Sequence, residues 1–294
     1  MVIDGDFPTV VSPNPENPEG FYLAVALADK VGADFIVGTD PDSDRVGIMV
    51  RNKEGKFQPV SGNQTGVLLS DYLYGAMKRS GKLPEKPVML KTIVTTEMAR
   101  KVAEAHGVTC YDTFTGFKFM AEKKNQLESQ GLGHVIMSYE ESYGYMLGDY
   151  VRDKDAVNAA LLVCEMAAHY KLEGRTLCAV MDGLYAEYGT YYTKADSFAF
   201  AGAGAMERMG AVMDHLRAEH LPEIAGTAVT GFTDYRDTSA TGLPSADVLT
   251  WELADGCAVT ARPSGTEPVL RVMVEASSVS LATELAQMMA NSLN

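Results

Sequence analysis

Apolar and polar positions divide the chain into three stretches with different rhythms. The opening, through Phe7-Pro8 and Pro13-Asn14-Pro15-Glu16-Asn17-Pro18, is proline-rich and predicts a loop. A helix is expected from Gly20 to Val31, with Leu23, Ala26 and Leu27 on one face. Phe35-Ile36-Val37 and Val46 to Val50 read as buried strands, with a turn at Asn52-Lys53-Glu54-Gly55. From Ser61 onward helix and strand alternate. Helices are predicted over Thr65–Lys78, Thr96–His106, Phe117–Ser129 and Asp155–Leu172, the last with Val157, Ala160, Leu161 and Cys164 on one face. Strands are predicted over Pro87–Val94, Val108–Tyr111 and His134–Ser138. This alternation implies βαβ units and a largely parallel sheet. Near Tyr188 the rhythm changes to Tyr-, Thr- and Val-rich runs at 191–198, 227–232, 248–253, 258–261 and 269–276, with helices near 206–219 and 281–292. That pattern predicts α+β structure with an antiparallel sheet. The expected organisation is a partial α/β domain (1–60), a parallel-sheet α/β domain (61–182) and a smaller α+β domain (183–294), with a linker at Gly183–Gly189. No internal repeat is evident.

Composition narrows the function classes. Of 294 residues, 46% are hydrophobic and 22% charged, which is ordinary globular usage and excludes disorder. No apolar run approaches the ~20 residues of a membrane helix, and no basic, cleavable leader opens the chain, so a soluble, cytoplasmic protein is expected. The net charge of −14 argues against nucleic acid. It leaves room for a small anionic substrate, because a few arginines can reverse the sign inside one cleft. The cysteines at 110, 164, 178 and 257 are too scattered for a zinc or disulfide framework, and the 16 methionines read as core filling.

Three short motifs carry candidate chemistry. Asp40-Pro41-Asp42-Ser43-Asp44-Arg45 follows an apolar strand. Its three alternate carboxylates could converge on a hard cation such as Mg2+, with Arg45 balancing charge or reaching a phosphate. The alternative is a solvated acidic turn. An EF-hand is excluded because Arg45 and Arg51 occupy its Gly and Glu positions, and a haloacid-dehalogenase-type nucleophile usually has Thr where Asp44 stands. Arg262-Pro263-Ser264-Gly265-Thr266-Glu267-Pro268, with Arg271 beyond, offers hydroxyls, a glycine and guanidinium groups suited to phosphate, or else is a plain hairpin turn. Tyr139-Glu140-Glu141-Ser142-Tyr143-Gly144-Tyr145 places a carboxylate and a hydroxyl two apart at a strand's carboxyl end, where α/β sheets bind ligands; the rival is an amphipathic turn. Thr115-Gly116-Phe117-Lys118 and Arg152-Asp153-Lys154-Asp155 are loops that each offer a lysine, a residue more often solvated than catalytic. Gly75 to Lys82 misses the Walker spacing, Gly202-Ala203-Gly204 lacks a third glycine, and His215 and His220 fall off a common helix face.

Taken in order, Asp-x-Asp-x-Asp-Arg, Thr-Gly-Phe-Lys, Glu-Glu-Ser-Tyr-Gly and Arg-Pro-Ser-Gly-Thr-Glu-Pro resemble the α-D-phosphohexomutase superfamily. The likeness is strongest to the bacterial phosphoglucomutases related to phosphoglucomutase-2 and phosphopentomutase, and it runs over the whole chain. It implies four domains, of which this chain would hold part of the second (the metal loop), the third (sugar recognition) and the fourth (phosphate binding). By resemblance, Asp40, Asp42 and Asp44 are metal ligands for Mg2+ and Arg45 supports the phosphoryl group. Glu140 and Ser142 read sugar hydroxyls; Arg262, Ser264, Gly265 and Thr266, with Arg271, hold a phosphate. Lys118 and Lys154 are cleft lysines, Lys154 being the candidate for proton transfer.

The family reaction interconverts glucose 1-phosphate and glucose 6-phosphate through glucose 1,6-bisphosphate, using a phosphoserine in a first domain that this sequence does not match. The expectation is therefore the C-terminal portion of a phosphoglucomutase-type enzyme, inactive by itself, with a sheet edge near the N-terminus that pairs in a dimer or leaves the chain mobile before Gly20. Rival readings are a non-catalytic sugar-phosphate-binding module, a phosphopentomutase or phosphomannomutase, and a Mg2+-dependent phosphatase.

Overall fold

A computed structural model describes residues 4–219, 221–254 and 256–284. The chain forms two compact units, one ending at Tyr188 and the other beginning at Gly189.

The first unit contains two sheets. Helix α1 (Tyr22–Val31) stops at Gly32, whose φ of +70° is one that glycine adopts without strain. It precedes an antiparallel sheet of β1 (Phe35–Thr39), β2 (Val46–Arg51) and β3 (Phe57–Val60), in that order. Phe21 and Ala28 pack with Ile36 and Met49. The expected inner face of α1 is its outer one: Leu23 and Leu27 are more than half exposed, while Ala24, Val25 and Ala28 meet the sheet. Small residues let the helix come close, and Gly38 lets the Phe21 ring lie against β1. β3 was not expected; it carries Pro59 within an edge strand, where a missing N–H is tolerated. β1 pairs only with β2 among the described residues.

The second sheet runs β5 (Thr109–Thr113), β4 (Pro87–Thr92), β6 (His134–Tyr139), β7 (Tyr145–Leu147). Its first three strands are parallel, as the alternation predicts, and β7 adds antiparallel. The helices are α2 (Gly62–Arg79), α3 (Glu97–Ala105), α4 (Phe117–Ser129), α5 (Ala156–Leu172) and α6 (Leu177–Tyr188). Val88 and Leu90 pack on Phe117, Met120 and Leu127 of α4. Strand alternation sends Lys91 to the opposite face. There its fully buried ammonium meets Glu97 (2.6 Å) and Asp112 (2.9 Å), and Arg100 also pairs with both carboxylates. Helix α5 buries Ala159, Val163, Met166 and Tyr170 and exposes Val157, Leu161 and Cys164, again the reverse of the expected face. A helix apolar nearly all round does not announce which side packs. The expected linker at Gly183–Gly189 is corrected: α6 runs unbroken through Gly183 to Tyr188.

The second unit is one antiparallel sheet, ordered β8 (Tyr192–Ala199), β13 (Val269–Ala276), β12 (Ala258–Pro263), β11 (Leu249–Leu253), β10 (Thr227–Asp234), β9 (Glu223–Ile224). Met209, Met213 and Leu216 of α7 (Ala205–Ala218) cover one face, on a core of Leu249, Trp251, Val259, Leu270 and Val272. A single turn, α8 (Thr238–Thr241), follows β10. Of the helix expected at 281–292, residues past 284 lie outside the described ones, as does His220.

Candidate functional site

The acidic loop joins β1 to β2 by wrapping around Asp40. One carboxylate oxygen of Asp40 accepts hydrogen bonds from the Asp44 and Arg45 amides, both at 3.0 Å. Ser43 takes a left-handed φ of +58° to complete the turn. The result gathers one oxygen each from Asp40, Asp42 and Asp44 within 4.8 Å of one another. Burial, and then the charges of Asp44 and Asp42, push the Asp40 carboxyl above its ordinary range, against the Arg45 amide that favours the anion. Arg45 supplies partial compensation: its Nε is 3.7 Å from Asp44 Oδ1 and 4.0 Å from Asp40 Oδ2.

The Glu140–Gly144 segment, between β6 and β7, lies against this loop. Arg45 and Gly144 form a β-bridge, and the Val46 amide donates to the Tyr143 carbonyl at 3.1 Å. Glu140 is buried; its Oε1 accepts from the Gly116 amide at 2.6 Å, a geometry that Gly116 reaches at φ +116°. Burial raises the Glu140 pKa despite that donor, and Glu141 adds to the rise. Ser142 Oγ is 3.5 Å from Glu140 Oε2.

Lys154 ties the loops together. Its Nζ is 2.9 Å from Asp44 Oδ2 and 3.0 Å from Asp153 Oδ1, and sits 5.2 Å from the centre of the Phe117 ring. The Ala156 amide donates to the Ser43 carbonyl at 3.0 Å, fastening the start of α5 to the acidic loop. Burial works against the Lys154 charge, but the bonds to Asp44 and Asp153 prevail and its pKa moves up. A lysine so held is a cation or a proton donor rather than a free base. Lys118 is exposed, its ammonium 4.8 Å from the Phe119 ring centre, and makes no ion pair among the described residues.

Sequence reasoning missed the support beneath this loop. Glu141 Oε2 accepts from the Thr92 (3.0 Å) and Thr95 (3.2 Å) hydroxyls at the carboxyl end of β4. The Glu141 carbonyl also abuts Gly62, the first residue of α2. Glu141 was visible inside its motif; the threonines had no signal, because their role depends on strand order.

In the second unit, Arg262 and Arg271 face each other across β12 and β13. Like charges directly opposite are unfavourable unless an anion joins them. The hairpin between them closes through Ser264 N to Val269 O (2.8 Å), and Ser264 Oγ accepts from the Thr266 and Glu267 amides at 3.4 and 3.3 Å. Gly265 is exposed with open space where a Cβ would stand. The structure therefore brings Asp40, Asp42, Asp44, Arg45, Glu140, Ser142 and Lys154 together in one unit, and Arg262, Ser264, Gly265, Thr266 and Arg271 together in the other.

A second metal-like cluster, Glu128, His134 and Asp149, is different in kind. The buried Lys124 ammonium bonds both Glu128 and Asp149, the latter at 2.7 Å, so a resident cation already stands where a metal would.

Three regions match the phosphoglucomutase/phosphomannomutase family: residues 1–55 its alpha/beta/alpha domain II, residues 61–188 its alpha/beta/alpha domain III, and residues 217–292 its C-terminal domain. A phosphoglucomutase of Staphylococcus epidermidis is 34% identical over 284 residues, covering 93% of this chain and 51% of that protein. The chain thus spans about half the length of the curated relatives it matches. Among solved structures, a phosphoglucomutase/phosphomannomutase family protein from Burkholderia thailandensis aligns with a TM-score of 0.68 at 19% identity, over 99% of this chain and 53% of that one. An N-acetylphosphoglucosamine mutase from Aspergillus fumigatus, in complex with GlcNAc-6P and magnesium, aligns with a TM-score of 0.53 at 15% identity, over 88% and 48%.

Proposed function

From the premise that the chain belongs to the phosphoglucomutase/phosphomannomutase family of the α-D-phosphohexomutase superfamily, we propose that it carries the cation-binding, sugar-reading and phosphate-holding parts of a mutase that interconverts glucose 1-phosphate and glucose 6-phosphate. The observation that carries this reading is the β-bridge between Arg45 and Gly144, which makes one site of the acidic loop and the Glu140–Ser142 loop.

The acidic loop fits a hard divalent cation. Its donors are carboxylate oxygens, gathered by the Asp40 turn and short of positive charge. Asp40, Asp42 and Asp44 would hold Mg2+, as befits relatives of a mutase solved with magnesium. The cation would offset charge on the phosphoryl group during transfer. Arg45 faces the same oxygens from the loop's end and adds a guanidinium for the reacting phosphate. Glu140, fixed by the Gly116 amide, accepts from a sugar hydroxyl through its second oxygen, and Ser142 reads the neighbouring hydroxyl. Lys154, protonated, offsets part of the site's negative charge and can give a proton to the oxygen of a leaving group. Lys118, free of ion pairs among the described residues and exposed at the start of α4, is available to substrate phosphate. On the other unit, Arg262, Arg271 and the Ser264-Gly265-Thr266 turn bind the phosphate that is not reacting. Transfer through a bisphosphorylated sugar needs a phosphoserine donor, and no segment of these 294 residues matches the family's serine loop. The chain by itself therefore binds sugar phosphate without turning it over.

Calorimetry tests the reading. Asp42→Asn should weaken Mg2+ binding at least about tenfold, equal to ~1.4 kcal/mol. Arg262→Ala should weaken glucose 1-phosphate binding by about 2 kcal/mol. Unchanged affinities would remove the assignment. A coupled assay with glucose 1-phosphate, Mg2+ and glucose 1,6-bisphosphate should detect no glucose 6-phosphate from the isolated chain.

A further inference from the structure

Both carboxylate oxygens of Asp44 already face a positive group. Oδ1 is turned to Arg45 Nε at 3.7 Å and Oδ2 to Lys154 Nζ at 2.9 Å. The lysine contact is the closer, and the Lys154 side chain is mostly buried. Its methylenes lie on Gly144, so closely that a Cβ there would overlap Cδ and stand 2.8 Å from Cγ. The backbone just after it is fastened too, by Asp155 N to Tyr145 O (2.9 Å) and Ala156 N to Ser43 O (3.0 Å). Lys154 is therefore directed at the acidic loop by its neighbours rather than resting there as a wandering surface cation.

We infer that Lys154 is the resident counter-ion of the acidic loop and that its ammonium and a divalent cation compete for Asp44. This rests on the reading of Asp40, Asp42 and Asp44 as cation ligands. A divalent ion drawn to those oxygens meets an ammonium on one of them, and the two positive charges repel at contact distance. Cation binding then breaks the Lys154–Asp44 pair. The freed ammonium keeps Asp153 at 3.0 Å and the Phe117 ring beside it, so it stays in the site. Phe117 directly follows Gly116, whose amide holds Glu140. The exchange thus delivers the Lys154 N–H donors to the sugar-reading side when the cation is in place, and returns them to Asp44 when it leaves. No bond is made or broken beyond the ion pairs.

The test is a Mg2+ titration of the 294-residue chain by calorimetry, comparing the unaltered protein, Lys154→Met and Lys82→Met. Methionine keeps the packing on Gly144 and removes the charge. Lys82 is exposed and makes no ion pair among the described residues, so its variant reports the effect of net charge alone. Lys154→Met should bind Mg2+ about fivefold more tightly or better, and Lys82→Met within about twofold of the unaltered protein. In the unaltered protein, Mg2+ should also speed reductive methylation of Lys154, followed by mass spectrometry. Equal or weaker binding by Lys154→Met, or unchanged Lys154 reactivity at saturating Mg2+, overturns the exchange while leaving the cation site standing. Absence of Mg2+ binding in every protein, with the fold intact by circular dichroism, overturns the cation site and the exchange together.

Discussion

Gly62→Ala is the most direct probe of how the Glu140–Gly144 loop is held. A Cβ at this position would overlap the Glu141 carbonyl oxygen and stand 2.8 Å from the Glu141 carbonyl carbon and 2.9 Å from the Tyr143 amide nitrogen. All three atoms are backbone, so no rotamer change relieves the contact. The loop is poorly able to retreat: Glu141 is bonded to Thr92 and Thr95, Glu140 to Gly116, and Tyr143 to Val46. The helix is no freer, since Ser61 and Gln64 form a capping box, Asn63 accepts from the Thr96 amide, and the Tyr145 hydroxyl donates to the Gly62 carbonyl. Overpacking of this kind costs ~1–3 kcal/mol, and the better helix propensity of alanine returns at most ~1 kcal/mol, so a net loss of about 2 kcal/mol is expected. For a unit of this size that lowers Tm by roughly 4–8 °C. Calorimetric unfolding measures it, and the Gly116 amide resonance should move as its bond to Glu140 is disturbed. Gly210→Ala is the control: it lies inside α7 with nothing within 4 Å of the added carbon, and should leave stability equal or higher. A Gly62→Ala protein that melts within about 1 °C of the parent would refute the rigid seating of the loop.

Gly144→Ala should behave differently, because the atoms nearest its Cβ belong to the flexible Lys154 chain and the Phe117 ring rather than to backbone; the protein should fold with little loss while Lys154 leaves Asp44, detected as faster methylation of that lysine. Lys91→Met should cost about 3 kcal/mol in urea unfolding, the low end for a broken buried ion pair, because Arg100 still pairs with Glu97 and Asp112. The Glu97 carboxyl is held below its ordinary 4.5: burial opposes this, but Lys91 and Arg100 outweigh it. Its stabilising effect is complete above that value and is lost as pH falls through the lower folded value, so Glu97→Gln should flatten the acid side of the urea-midpoint profile relative to the parent. Gly265→Ala should leave Tm unchanged, since the added carbon meets nothing, yet weaken inorganic phosphate binding by denying the anion close approach to the turn, as read by isothermal titration.

The difference between what the sequence disclosed and what it hid follows from the range of the forces involved. Contiguous features were legible. The β4–β6 rhythm predicted the parallel strands, and the alternate aspartates predicted a convergent loop, because a tight turn places such residues together whatever surrounds it. Faces were misjudged where apolar residues ran round a helix. In α1 and α5 the side that packs is chosen by which residues are small enough for close approach, Ala24, Val25 and Ala28 in one and Ala156 and Ala159 in the other. β3 is a four-residue strand containing Pro59, and its place as an edge follows from pairing with β2, which no local pattern announces.

The site divides in the same way. Asp40, Asp42 and Asp44 could be read from spacing, and Glu140 with Ser142 from their place after a strand. Their connection could not. Lys154 meets Asp44, Thr92 meets Glu141 and Val46 meets Tyr143 across long stretches of chain: the Thr92 contact exists because β4 lies beside β6, and the other two because the antiparallel β7 turns the chain back beside the acidic loop. That reversal determines the chemistry. With it, the Glu140 carboxylate is buried beside the acidic loop, the arrangement on which the proposed function rests.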